Sequence, residues 1–137
     1  MEVKVHKYQV RILESHLDAY GHLNNATYLV LLEEARWDLV TAGGFGQKHV
    51  VETGVGTTLL DISLRFKREI RLQELITIET RMTYFRGKVG EIAQEMINEA
   101  GQVCCVAKMK IGMFDLKTRK LVAPAKEWLE AVGYKAN

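Results

Sequence analysis

The chain has 137 residues, 47% of them apolar and 26% charged, with a formal charge of +2. That size suits one globular domain, residues 1–137, and leaves little room for a second. That net charge is too small to announce a nucleic-acid binder, and no run approaches the ~20 apolar residues that a membrane helix needs. Met1 leads straight into Glu2-Val3-Lys4-Val5-His6 without an apolar leader, so the expectation is a cytoplasmic protein with no membrane span.

Val3 to Ile12 reads as a first strand, with Tyr8, Val10 and Ile12 on one face. Glu14 to Asn25 breaks the pattern with loop-forming types: Ser15, His16, Asp18, Gly21, His22, Asn24 and Asn25. From Ala26 to about Ala42 the period turns helical, with Tyr28, Leu32, Ala35 and Leu39 in one stripe. Asn24 or Asn25 can cap its start and Gly43-Gly44 can end it. Apolar residues cover more than half of this helix, which predicts a sheet that wraps around it. Strand alternation returns at Leu59–Phe66, Ile76–Tyr84, Val89–Asn98 and Val103–Phe114, with turns at Gly87 and at Glu99-Ala100-Gly101. Asp115 to Thr118 closes the last strand, and Lys126 to Leu129 starts a short helix after Pro124. One strand, one long helix and then a run of strands argue for an α+β fold, with the helix packed on an antiparallel sheet of about five strands. Cys104 and Cys105 are adjacent, so on a strand their side chains alternate between faces; they read as reduced strand residues rather than a staple or a metal grip.

Polar chemistry is densest in Asp18-Ala19-Tyr20-Gly21-His22-Leu23-Asn24-Asn25, just ahead of the long helix. A helix N-terminus offers unpaired N–H groups and positive potential, which suit an oxyanion developing at an acyl carbonyl. A carboxylate in the same loop could attack that carbonyl or activate water against it. The same loop could equally serve only to cap the helix. His16, Asp18 and His22, with His49, match no zinc spacing, so neither a metal nor a cofactor is expected. Gly43-Gly44-Phe45-Gly46 and Gly54-Val55-Gly56 lack the Lys-Ser/Thr of a phosphate loop.

The string Asp18-Ala-Tyr-Gly21-His22-Leu-Asn24-Asn25-Ala-Thr-Tyr28, followed by Glu33-Glu34-Ala35-Arg36, resembles the acyl-CoA thioesterase family of 4-hydroxybenzoyl-CoA thioesterase and its YbgC-like relatives. The resemblance implies a hot-dog fold that pairs edge to edge into a homodimer or homotetramer, with sites shared between chains. It also implies hydrolysis of an acyl thioester carried on CoA or on acyl carrier protein. By position it makes Asp18 the nucleophile or general base, with His22 and Asn25 beside it. Backbone N–H groups of Asn25, Ala26 and Thr27 would polarise the carbonyl, while Gly21 would let the backbone come close to the substrate and Asn24 would join it in binding. Tyr28 is either a core aromatic or an acyl-pocket wall. Lys67, Arg86 and Lys88 are candidates for gripping the phosphates of the carrier. Two departures stand out: Asn25 occupies a position where YbgC-like chains often carry His, and Phe66-Lys67-Arg68-Glu69 replaces a Tyr-x-x-Pro segment. A hot-dog hydratase or dehydratase and a non-catalytic acyl-CoA-binding module are the rival readings.

Overall fold

The computed structural model describes residues 4–134. Val3, where the sequence pattern begins the first strand, lies outside them; β1 runs His6–Arg11, with Tyr8 and Val10 turned inward. A single 3-10 turn (Glu14–His16) and the Asp18 loop lead into α1, Asn25–Ala42. Then come α2 (Gln47–Thr53), β2 (Val55–Phe66), β3 (Leu75–Arg86), β4 (Val89–Ile97), β5 (Val103–Asp115), β6 (Lys120–Val122) and α3 (Lys126–Ala131). The sheet is antiparallel in the order β1-β3-β4-β5-β2, and β6 adds three residues beside the end of β5.

Two elements escaped the sequence pattern. The helix α2 has only seven residues between Gly46 and Gly54 and buries none of them, so it carries no apolar stripe to read. The strand β6 follows the Asp115 turn, in which the Asp115 carboxylate accepts from the N–H groups of Lys117 and Thr118 and folds the chain back on itself. Strand β2 also begins at Val55, four residues before the alternation at Leu59.

The long helix stays helical because Asn24 caps it: the Asn24 side-chain oxygen accepts from Ala26 N–H at 2.9 Å. Gly43 ends it, and Gly44, at φ +88°, turns the chain away. Along its ~27 Å α1 presses Tyr28, Leu31, Leu32, Ala35 and Leu39 into the sheet. Its first half packs on Ile12, Ile70, Ile76, Ile78, Met96 and Met109. Its second half meets Met82, Ile92, Ile111, Met113 and Trp128. The two apolar clusters thus lie one after the other along one helix.

Cys104 and Cys105 are free and both buried, contrary to the strict alternation expected of a strand. The register explains it: Met96 faces Cys105 and Ile97 faces Val103, so Cys104 is an extra residue at an irregularity in β5. Burial, with a smaller effect of neighbouring Cys104, pushes the Cys105 thiol up to about 11. It is therefore a protonated packing residue at neutral pH, not a nucleophile.

Candidate active site

The Asp18 loop is held at both ends by backbone pairing. Leu23 N–H donates to Ile70 O, Asn24 N–H to His16 O, and His22 bridges Arg71. Within it, Asp18 N–H donates to His22 O at 2.8 Å and Gly21 N–H to Asp18 O at 3.2 Å. Gly21 sits at φ +80°, a left-handed conformation that L side chains rarely adopt, yet a Cβ there would meet nothing within 4 Å. Its glycine is thus required by the turn and not by crowding.

The Asp18 carboxylate divides its work. Oδ1 accepts from Tyr20 N–H at 2.9 Å and His22 N–H at 3.2 Å, closing the loop. Oδ2 accepts no hydrogen bond from any described residue. The side chain is half-buried, so one oxygen is left to meet a substrate or a water. Tyr20, 84% exposed, stands out from the same loop.

The neighbours are arranged more narrowly than the motif implies. The His22 peptide faces Asp18, but its imidazole turns away: Nε2 lies 2.8 Å from Glu69 Oε2. Arg71 binds the other oxygen of Glu69, and that hydrogen bond, more than the nearby His22, holds the Glu69 carboxyl below the usual carboxylate range. Glu69 carries no functional expectation from the sequence; the signal available is the departure of Phe66–Glu69 from the family pattern. Among the helix N-terminal amides, Ala26 N–H is taken by Asn24 Oδ1 and Thr27 N–H by Asn24 O. Asn25 N–H alone of the three has no acceptor among the described residues. Asn25 itself is exposed, with no side-chain hydrogen bond there.

Tyr28 is a core residue, 5% exposed, packed edge-on against Phe66 with ring centroids 4.8 Å apart. Burial pushes its hydroxyl up to about 12, with lesser contributions from Cys105, Cys104 and Asp18. Lys67 follows Phe66 directly, at the same end of the sheet as the loop, and its N–H donates to Cys104 O. Arg86 and Lys88 are elsewhere. They flank Gly87 in the β3–β4 hairpin, while the loop adjoins the opposite end of β3 at Leu75, eleven residues and roughly 36 Å of strand away. One protomer does not bring them to Asp18.

The remaining histidines are also placed: His6 Nε2 lies 2.7 Å from Asp38 Oδ2, His16 Nδ1 accepts from Leu13 N–H at 2.9 Å, and His49 stacks near Phe45. Among the described residues no three His, Cys, Asp or Glu side chains converge as a metal site would require. None of the described helices is long and apolar enough to cross a membrane.

A cavity of about 450 Å³ opens between the second half of α1, α2, α3 and the sheet. Leu39, Val40, Met82, Ile111 and Trp128 are among its walls, and Glu33 and Arg36 line it too. No residue of the Asp18 loop reaches it; the packed cluster around Leu31, Leu32 and Ile78 stands between.

A long helix wrapped by an antiparallel sheet, with a carboxylate loop at the helix N-terminus, is the hot-dog arrangement. Residues 11–132 match the model of the thioesterase-like superfamily, and the chain belongs to that family. It is 35% identical over 117 residues, 84% of this chain and 87% of the relative, to the long-chain acyl-CoA thioesterase FadM of Escherichia coli K12. It is also 22% identical over 125 residues, 90% of this chain and 93% of the relative, to the acyl-CoA thioester hydrolase YbgC of Escherichia coli O6:H1. In structure it is similar to YbaW, a probable thioesterase from Escherichia coli, with a TM-score of 0.80 and 33% identity over 93% of this chain and 96% of that one.

Proposed function

We propose that the chain hydrolyses acyl-CoA thioesters to a free acid and CoA, with Asp18 as the reacting carboxylate. The observation that carries this is the division of labour at Asp18: one oxygen is committed to the loop and the other is open beside the start of α1. As general base, Oδ2 would take a proton from water as it adds to the carbonyl, the C–S bond would break, and the proton would pass to the departing thiolate. As nucleophile, it would add itself and expel the thiolate, leaving an acyl–Asp18 anhydride that water then cleaves to the free acid. Asn25 N–H is the backbone donor available to the developing oxyanion, aided by the helix dipole. Similarity to FadM supports long-chain acyl groups as the first substrates to try.

A second copy completes the arrangement. Strand β2 is an edge of 12 residues, with Leu60 47% and Phe66 53% exposed, and such an edge invites pairing. Its Phe66 end lies with Tyr28 and the Asp18 loop. Its Val55 end faces Asp115, level with the hairpin that carries Arg86 and Lys88. Two-fold antiparallel pairing along β2 would set each Val55 end against the other's Phe66 end. It would thereby bring the partner's Arg86 and Lys88 toward Asp18, where they could hold the CoA phosphates. We therefore take the working unit to be a homodimer or homotetramer, placed in the cytoplasm, a reducing compartment that suits two free cysteines.

Two measurements test this. Hydrolysis of a panel of acyl-CoAs, followed by detection of the free thiol, is expected to show turnover on long-chain members. Release of no thiol from any of them would reject the proposal and favour an acyl-CoA-binding module. Light scattering at micromolar concentration is expected to return a dimer or tetramer mass, and a monomer mass would count against the shared site.

A further inference from the structure

Among the described residues, Arg36 is the one arginine or lysine lining the cavity beyond the Asp18 site, whose wall also includes Glu33 and His49. It sits on the inner side of α1, half-buried, among walls that are mostly Leu, Val, Met and Trp. Its Nη1 donates to Gln94 Oε1 at 3.0 Å and to Met109 Sδ at 3.0 Å. Gln94 is itself buried and fully engaged, donating to Leu32 O at 3.0 Å and Thr80 Oγ1 at 2.9 Å. That network clamps the guanidinium in place. No carboxylate lies within ion-pair distance of Arg36 among the described residues.

The other two guanidinium nitrogens, Nε and Nη2, make no hydrogen bond to a described residue. Every fully buried side-chain nitrogen or oxygen among those residues does have a partner. Nε and Nη2 are therefore accessible, in a residue that lines the cavity. A guanidinium keeps its charge in such surroundings and presents a fork that matches a carboxylate. Leaving a cation unpaired beside an apolar wall is costly, and a ligand that brings an anion together with an alkyl chain relieves both. Glu33, on the preceding turn of α1, also lines the cavity and would oppose that anion from the exposed rim.

We propose that this cavity binds a free fatty acid, the alkyl chain along the apolar walls and the carboxylate on Nε and Nη2 of Arg36. About 450 Å³ falls within the range of ligand cavities. Within one protomer the site is distinct from the Asp18 loop, although Val55, Gly56 and Leu59 of its wall belong to the end of β2 that the proposed dimer sets against the partner's loop, so it is tested by binding and not by turnover. If that reaction is the one catalysed, the ligand is of the same chemical class as its acid product, and the site becomes a place for product to act back on the enzyme.

Both tryptophans of the chain, Trp37 and Trp128, line the cavity and report on it directly. Dodecanoate titrated into the intact protein is expected to change tryptophan fluorescence and to bind at least ~10-fold more tightly than dodecan-1-ol, the worth of one charge-assisted contact. Arg36→Met, checked for folding by circular dichroism, should lose that preference while binding the alcohol as before. Glu33→Gln should tighten dodecanoate binding, a change of opposite sign that a purely structural Arg36 would not produce. Asp18→Asn should leave dodecanoate binding unchanged. Equal affinity for acid and alcohol, no fluorescence response, or loss of dodecanoate binding in Asp18→Asn would each overturn the proposal. If Arg36→Met fails to fold, the acid–alcohol comparison and Glu33→Gln decide the matter on folded protein.

Discussion

Asp18→Asn is expected to lower kcat on the best acyl-CoA substrate by at least ~100-fold, the lower range for loss of a positioned base. The structure makes this substitution a clean one. Oδ1 accepts two backbone N–H groups, and an asparagine oxygen can accept both, so the loop that carries Tyr20 and His22 should persist. What disappears is the charge and the basicity of the second oxygen. Substrate contacts elsewhere remain, so KM should move much less than kcat, the pattern of an interaction used mainly in the transition state. His22→Gln should be milder, because the imidazole is engaged with Glu69 rather than with Asp18. Steady-state kinetics on folded variants provide the check. Wild-type turnover in Asp18→Asn would reduce the carboxylate to a loop fastener and remove the proposed mechanism.

Leu32→Ala is expected to destabilise the protein by ~2–5 kcal/mol, the usual cost of a buried leucine truncated in a packed core. Leu32 is fully buried at the middle of α1, within the cluster that includes Ile76, Ile78 and Met109. That position matters because the same stretch of helix separates the Asp18 loop from the cavity and aims Arg36 into the sheet. The Leu32 carbonyl that accepts from Gln94 is backbone and survives the change, so the cost should come from the lost packing. Against a typical total of ~5–15 kcal/mol, the loss should appear as a much lower urea midpoint with little change in slope. A shift below about 1 kcal/mol would mean that the core relaxes into the space and that Leu32 is not a keystone of the helix–sheet contact.

The site resists a reading by motif alone, and particular residues show why. Asn24 and Asn25 are interchangeable as sequence candidates for a cap. The backbone makes Asn24 the cap, and in doing so consumes Ala26 N–H and leaves Asn25 N–H. His22 follows Gly21 in the expected slot, yet its ring is drawn to Glu69, forty-seven positions later, a partner that only the pairing of His22 with Arg71 brings near. Arg86 and Lys88 are candidates from the sequence for gripping the carrier phosphates, but strand length sets them at the far end of the sheet from Asp18 within one protomer.

Local chemistry was enough for the elements and their faces. Period 3.6 in Tyr28, Leu32, Ala35 and Leu39 marks the buried stripe of α1, because a helix packed on one side repeats its contacts at that spacing. Period 2 marks the strands, as in the alternating burial of Leu75–Met82, and left-handed glycines mark the turns at Gly87 and Gly101. The Asp18 loop was legible for the same reason: its residues are consecutive, and a loop before a capped helix is a local structure. The short helix α2 and strand β6 were not, because neither buries enough side chains to leave a pattern. The second face of Cys104 was hidden too, since an extra residue in β5 shows only once β4 is laid beside it. The exposed β2 edge, the cavity and the orientation of Arg36 toward Gln94 and Met109 arise from contacts fifty-eight and seventy-three positions apart. Such contacts depend on how the sheet curls around α1, a property of the whole chain's packing that no window of local sequence contains.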